Sequence, residues 1–247
     1  MINLKSIRTR VLIVITFFLS TCLFWWSAKG TPPKKQVEFF SSNSNLSVIN
    51  KNTGLPEPGT YKLQKIFTVP TLSVLDTKGH IQPISKYTQG KMTLLTFFYQ
   101  RCSDVDGCPY AMGVFHSVKS KLEKNKNFKD SIRFVHISFD PLRDTPIMMA
   151  GLEKRSAGLK KDKKRIEWNF LTTASVNDLL PVVDAFGQNV DISINPTTNN
   201  KELSYAHVLK VFLIDGQGYV REIYSTPYLS ANMLLNDIQT LALENQN

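Results

Sequence analysis

Cys102 and Cys108 are separated by five residues, Ser103-Asp104-Val105-Asp106-Gly107, and Pro109 follows directly. An apolar run, MTLLTFFY over residues 92–99, leads into them. Two close thiols support three chemistries: a static disulfide, a redox-active disulfide, or a site for a soft metal. Their location bears on the choice, because chemistry in α/β folds gathers just past the carboxyl ends of buried strands. Pro109 fits the first helical position, which makes Cys108 the expected N-cap. A thiolate there faces unpaired backbone amides and the positive end of a helix dipole, which favours the reactive form. Arg101 acts in the same direction and Asp104 and Asp106 oppose it, so the net shift has no sign from sequence alone. The spacing is longer than the CxxC of a thioredoxin redox motif.

The elements that must hold this loop follow from hydrophobic periodicity. Residues 92–99 and 132–139 (IRFVHISF) read as central strands buried on both faces. Met112, Phe115, Val118 and Leu122 at helical spacing predict a helix over 109–125. Further helices are expected at 147–155, capped by Thr145, at 175–186 and at 229–244. Strands are expected at 65–74, 168–171, 208–214 and 219–224, the last two joined by the turn Asp215-Gly216-Gln217-Gly218. Strands separated by helices, closed by a hairpin and a helix, imply an α/β sandwich with a central mixed β-sheet flanked by helices.

The chain has 247 residues, 42% of them hydrophobic, with three cysteines and a formal net charge of +10. That composition excludes a disordered tail and a disulfide scaffold. The charge is local. Residues 1–35 hold six basic and no acidic residues, 154–165 hold seven basic and one acidic, and the rest is near neutral. No aromatic residue interleaves with the second cluster, which argues against nucleic acid and leaves a solvated loop or a patch for an acidic partner or anionic headgroups. The first cluster brackets an apolar run. Residues 1–10 read as a basic cytoplasmic leader, 11–28 as an uncleaved transmembrane helix ending in Trp25 and Trp26, 29–59 as a tether, and 60–247 as the domain. Basic residues on the leading side put the domain outside the cytoplasm. Cys22 lies inside the apolar run, so only Cys102 and Cys108 belong to the domain.

Asp140-Pro141-Leu142-Arg143-Asp144-Thr145-Pro146 resembles the DPxRDTP signature of the SCO/SenC family, copper-delivery and thiol-redox factors for cytochrome oxidase assembly. The cysteine pair ending in Cys-Pro before that signature, and His207 ahead of a late strand, fall in the family's order; the resemblance covers roughly residues 67–243. It implies a thioredoxin-like domain in which Cys102, Cys108 and His207 bind copper, as Cu(I) or Cu(II). Exchange among dithiol, disulfide and metal-bound states would use the same two sulfurs. The implied partner is a cytochrome oxidase copper-site subunit or another copper or thiol protein. The implied place is the inner membrane, single-pass, with the domain on the periplasmic side. One departure stands out: the family pattern is CxxxC, and two additional residues lengthen the loop here, with Gly107 giving the backbone freedom to fold back. The expected function is a metallochaperone more than a turnover enzyme. The alternative is a thiol-disulfide oxidoreductase in which Cys102 and Cys108 cycle without a metal. A thiol peroxidase is disfavoured, since Tyr99 stands where its Pro-x-x-Thr-x-x-Cys motif needs threonine. His136, inside a central strand, and His116, on a helix, read as structural, His80 as a solvated turn residue, and Met112, Met148 and Met149 as core. Asp140, Arg143 and Asp144 read equally as residues that shape the site and as loop caps and ion pairs.

Overall fold

The computed structural model describes residues 54–157, 165–194 and 203–244. The expected anchor, the tether up to residue 53 and residues 158–164 of the basic run lie outside the described residues. Among the described residues no helix is long and apolar enough to cross a membrane.

The core is built on β4 (Met92–Phe98), buried at all seven positions. It pairs in parallel with β5 (Ile132–Ser138) and antiparallel with β9 (Lys210–Ile214). β6 (Glu167–Leu171) extends the sheet in parallel beyond β5, and β10 (Tyr219–Ser225) and β1 (Phe67–Thr68) extend it antiparallel beyond β9. The order β1-β10-β9-β4-β5-β6 is the expected mixed sheet. Alternation along β4 divides the core: Leu94 and Phe98 join one hydrophobic cluster, Leu95 and Phe97 the other. The first cluster is covered by α2 (Cys108–Leu122), α3 (Pro146–Ala157) and α5 (Ala231–Glu244). The second is covered by α4 (Val176–Ala185), the short α1 (Ser85–Thr88) and the hairpin β2 (Ser73–Leu75) to β3 (Ile81–Pro83). Each large side chain removed fully from water contributes roughly 2 kcal/mol, and Phe97 anchors such a group, stacking on Phe139 at 5.4 Å between centroids and meeting Phe186 and Phe212 edge-on.

Local chemistry sets the connections. Asp215 Oδ1 accepts the amides of Gln217 and Tyr219, and Gly218 takes φ 89°, which closes the β9–β10 turn. Ser175 caps α4 by accepting the Asp178 amide. The segment ahead of β1 is fastened along α5: Asn236 Nδ2 donates to Pro56 O, the Gly59 amide to Thr240 Oγ1, and the Tyr61 hydroxyl to Asp237.

Three expectations change. The single strand over 65–74 is two short strands, β1 and β2, in different sheets. The strand over 208–214 begins only at Lys210, because residues 203–207 form β8 (Leu203–His207), paired with β7 (Val190–Ile194) in a separate hairpin. Met149 is buried as expected, whereas Met148 is 46% exposed on the other side of the same turn.

His136 is fully buried on β5, ringed by Phe115, Phe170 and Phe98 at 4.7, 5.0 and 5.4 Å. Trp168 Nε1 donates to its Nδ1 at 3.0 Å. Burial first, and then nearby His116, push its pKa down from 6.5 to about 3. It is the structural histidine that the sequence suggested. The unfolded chain therefore binds a proton near pH 6.5 that the folded chain refuses until about pH 3, so stability falls with acidification across that window. The expected slope from this group is about 1.4 kcal/mol per pH unit. His136→Gln, which does not titrate and keeps an acceptor for Trp168, should lose that part of the slope in denaturation measured from pH 7 to 4.

Candidate dithiol and metal centre

The cysteine loop leaves β4 at Tyr99 and turns twice. The Cys102 amide donates to Tyr99 O at 3.2 Å and the Gly107 amide to Asp104 O at 3.1 Å. Asp104 Oδ1 accepts the Asp106 amide at 3.1 Å, which winds the longer loop into a tight turn. A Cβ at Gly107 would come 3.1 Å from Asp104 Oδ2, so a larger residue there would press on the Asp104 side chain. Cys108 is then the first residue of α2, with Gly107 as N-cap and Pro109 second, so the helix starts one residue earlier than the sequence suggested. The Ala111 amide continues the helix onto Gly107 O.

This winding brings the two thiols, both free, close enough for Cys102 to act on the Cys108 sulfur. Cys108 is 8% exposed and lies in the first core cluster; Cys102 is half-buried against the same cluster. Burial pushes the Cys108 thiol up to about 12, and the neighbouring Cys102 adds to this, outweighing the backbone hydrogen bonds at Tyr99 and at Cys108 itself. Burial thus overrides the helix-terminal effect that the position suggested.

The aspartate-proline segment secures the root of the loop. Asp144 Oδ2 accepts the Gln100 amide at 3.1 Å and the Ser138 hydroxyl at 2.6 Å. Ser138 Oγ in turn accepts the Asp140 amide, and Asp140 Oδ2 pairs with Arg143 at 3.3 Å. Both sequence readings of this segment hold, for different residues: Asp144 shapes the site, and Asp140 with Arg143 forms an ion pair.

His207 ends β8, half-buried, with its ring 4.5 Å from Phe139 and its Nδ1 3.3 Å from Tyr205 O. Burial lowers its pKa, while the backbone bond at Tyr205 and the charge of Asp104 pull upward. Tyr99 borders both this imidazole and the cysteine loop. Its ring is 6.2 Å from that of His207 and 5.2 Å from that of Tyr205, and burial first, then the nearby Cys102, push its pKa up to about 12. Among the described residues no three His, Cys, Asp or Glu side chains are close enough together to hold one metal ion. Cys102 and Cys108 are brought together, and His207 is on the same side of the fold but set apart. Met112 packs against the core. The sequence did not mark Tyr99 or Asp104 as site residues; the signal for Tyr99 was its place at the very end of the buried run.

A family model described as SCO1/SenC matches residues 67–243. The chain belongs to the SCO1/SenC family. Solved structures agree on the fold. ScoI of Arabidopsis thaliana, determined with copper bound, superposes with a TM-score of 0.58 at 17% identity, covering 72% of this chain and 99% of that one. A SCO1/SenC family lipoprotein of Bacillus anthracis gives 0.51 at 20% identity, covering 73% and 96%. BsSco, a member of the Sco family of cytochrome c oxidase assembly proteins in which a disulfide switch was identified, gives 0.51 at 19% identity, covering 73% and 94%. No curated protein matches the chain. The SCO1/SenC domain here is the expected thioredoxin-like sandwich, with its two cysteines at the end of β4 and the start of α2.

Two outcomes follow for the metal-free protein. Under limiting iodoacetamide, Cys102 should be alkylated before the buried Cys108, read by peptide mass mapping; the reverse order would contradict the loop arrangement. Asp144→Ala should cost about 1–3 kcal/mol by leaving the half-buried Gln100 amide and the buried Ser138 hydroxyl without their acceptor, with faster amide exchange at Gln100, and Asp144→Asn should cost less.

Proposed function

We propose that this chain is a membrane-anchored, extracytoplasmic copper carrier and thiol-redox factor that serves assembly of a respiratory oxidase copper site. The observation that carries the reading is the pair of adjacent free thiols at the start of α2, in a chain of this family. Two thiolates suit Cu(I), a soft ion content with low coordination, and an imidazole as third ligand also accommodates Cu(II). Cys102 and Cys108 would supply the sulfurs and His207 the nitrogen. Copper is cargo in this scheme, received and passed on to a partner copper or thiol protein. The same sulfurs can act without it: the dithiol attacks a partner disulfide, leaves as the Cys102–Cys108 disulfide, and the partner gains both electrons and both protons.

The copper-bound ScoI relative and the SCO1/SenC lipoprotein support the cargo and the membrane location by analogy. Residues 11–28 would form the anchor, 29–59 the tether and 60–247 the domain on the periplasmic face. A second reading, a thiol-disulfide oxidoreductase without metal, is favoured by one observation: among the described residues His207 does not cluster with the two thiols closely enough to share a metal ion.

Cu(I) competition titration of the reduced, detergent-solubilised chain separates the two. Cys102→Ser and Cys108→Ser should each weaken binding by several orders of magnitude, and His207→Ala by about tenfold, the effect of ~1.4 kcal/mol. Either serine variant binding like the parent would overturn the two-sulfur site. Disulfide turnover that needs both cysteines and proceeds in chelator, with no measurable Cu(I) affinity, would establish the second reading.

A further inference from the structure

We infer that Tyr99 is a positioning residue that partitions the dithiol from His207, so that its side chain decides whether the two sulfurs act alone or together with the imidazole. It adjoins every candidate ligand: its carbonyl accepts the Cys102 amide, its phenol lies within electrostatic reach of Cys102 and Cys108, and its ring meets that of His207 edge-on at 6.2 Å. Ligands sharing one metal at about 2.0–2.3 Å lie within about 4 Å of one another. A phenol ring interposed between sulfur and imidazole forbids that approach.

The partition is built in from both ends. Tyr99 follows β4 directly, so its backbone is fixed by the sheet, and its ring is held against Tyr205, itself 4% exposed and two residues before His207 on the same strand. Phe139 backs His207 from the other side. On this arrangement the Tyr99 ring has to swing aside before the imidazole and the thiols converge. With the ring in place the sulfurs have each other as partners, which suits disulfide formation. With the ring displaced, two sulfurs and a nitrogen can converge on one ion. The consequence for copper rests on the function proposed above, whereas the partition itself does not.

The first test needs no metal. In the full chain carrying Cys108→Ser and His207→Cys, diamide oxidation should give little cross-link between Cys102 and the thiol introduced at 207, read by peptide mapping. Adding Tyr99→Phe, which keeps the ring, should leave the yield low. Adding Tyr99→Ala should raise the rate of cross-linking about tenfold or more. Equal cross-linking with Tyr99 present, or none with Tyr99→Ala in a chain whose circular dichroism is unchanged, overturns the partition. The second test uses Cu(II) mixed with the reduced parent: fast growth of the sulfur-to-copper absorption should precede a slower appearance of nitrogen coupling in the electron paramagnetic resonance spectrum. That slow phase should persist in Tyr99→Phe and merge with the first in Tyr99→Ala. If His207→Ala gives the parent's spectrum, the three-ligand reading fails by itself, and the cross-linking result still decides the role of Tyr99.

Discussion

The site hangs from a strand that has no slack. β4 is hydrogen-bonded on both edges and buried on both faces, so the place where the chain emerges at Tyr99 is set by the core. Pairing continues one step further, with the Phe139 amide donating to Phe98 O, and Asp144 then takes the Gln100 amide. At its far end the cysteine loop is fixed again, because α2 enters the core through Ala111, Phe115 and Val118. Between these two anchors lie Cys102 and the turn around Asp104, more exposed than the ends that hold them. The sulfur that is free to engage a partner is thus the one on the loop, and the sulfur on the helix stays where packing puts it.

That packing also settles a competition between effects of different size. A helix N-terminus stabilises a nearby negative charge by about 0.3–1 kcal/mol. Burial in an apolar surround acts on Cys108 in the opposite sense and is much the stronger, carrying its thiol up to about 12. The metal-free pair is therefore a reservoir of protons at Cys108. Metal binding needs the thiolate and releases that proton, so a soft cation that replaces it restores the pairing the buried sulfur lacks. A hard cation gains less from sulfur and meets the same desolvation cost.

How much of this was legible depended on what kind of signal each part leaves. β4 and β5 were readable because strands buried on both faces are continuous apolar runs, and α2 because Phe115, Val118 and Leu122 keep helical spacing. The β7–β8 hairpin was not, although Val190, Ile192 and Ile194 alternate with Asp191 and Ser193 as in a half-buried strand, because its pairing is a property of the tertiary fold. The two cysteines could be named from type and place. The sign of the Cys108 shift could not, because it rests on how deeply the thiol is buried. Tyr99 looked like the last core aromatic of its strand; only the through-space position of His207 shows that it faces two functional groups at once. The histidine was located by order along the chain, which carries no distance.

The lengthened loop sharpens the same point. Going from three to five intervening residues costs roughly 0.5 kcal/mol in loop-closure entropy, too little to keep two thiols apart. Here the additional length is taken up locally, by the turn in which Asp104 accepts the Asp106 and Gly107 amides, and the sulfurs still meet. Separation along the chain therefore does not measure separation in space. The loop also carries the Asp104 carboxylate within electrostatic reach of His207 and of the Tyr99 phenol. It therefore bears on the histidine through its charge as well as on the dithiol through its turn.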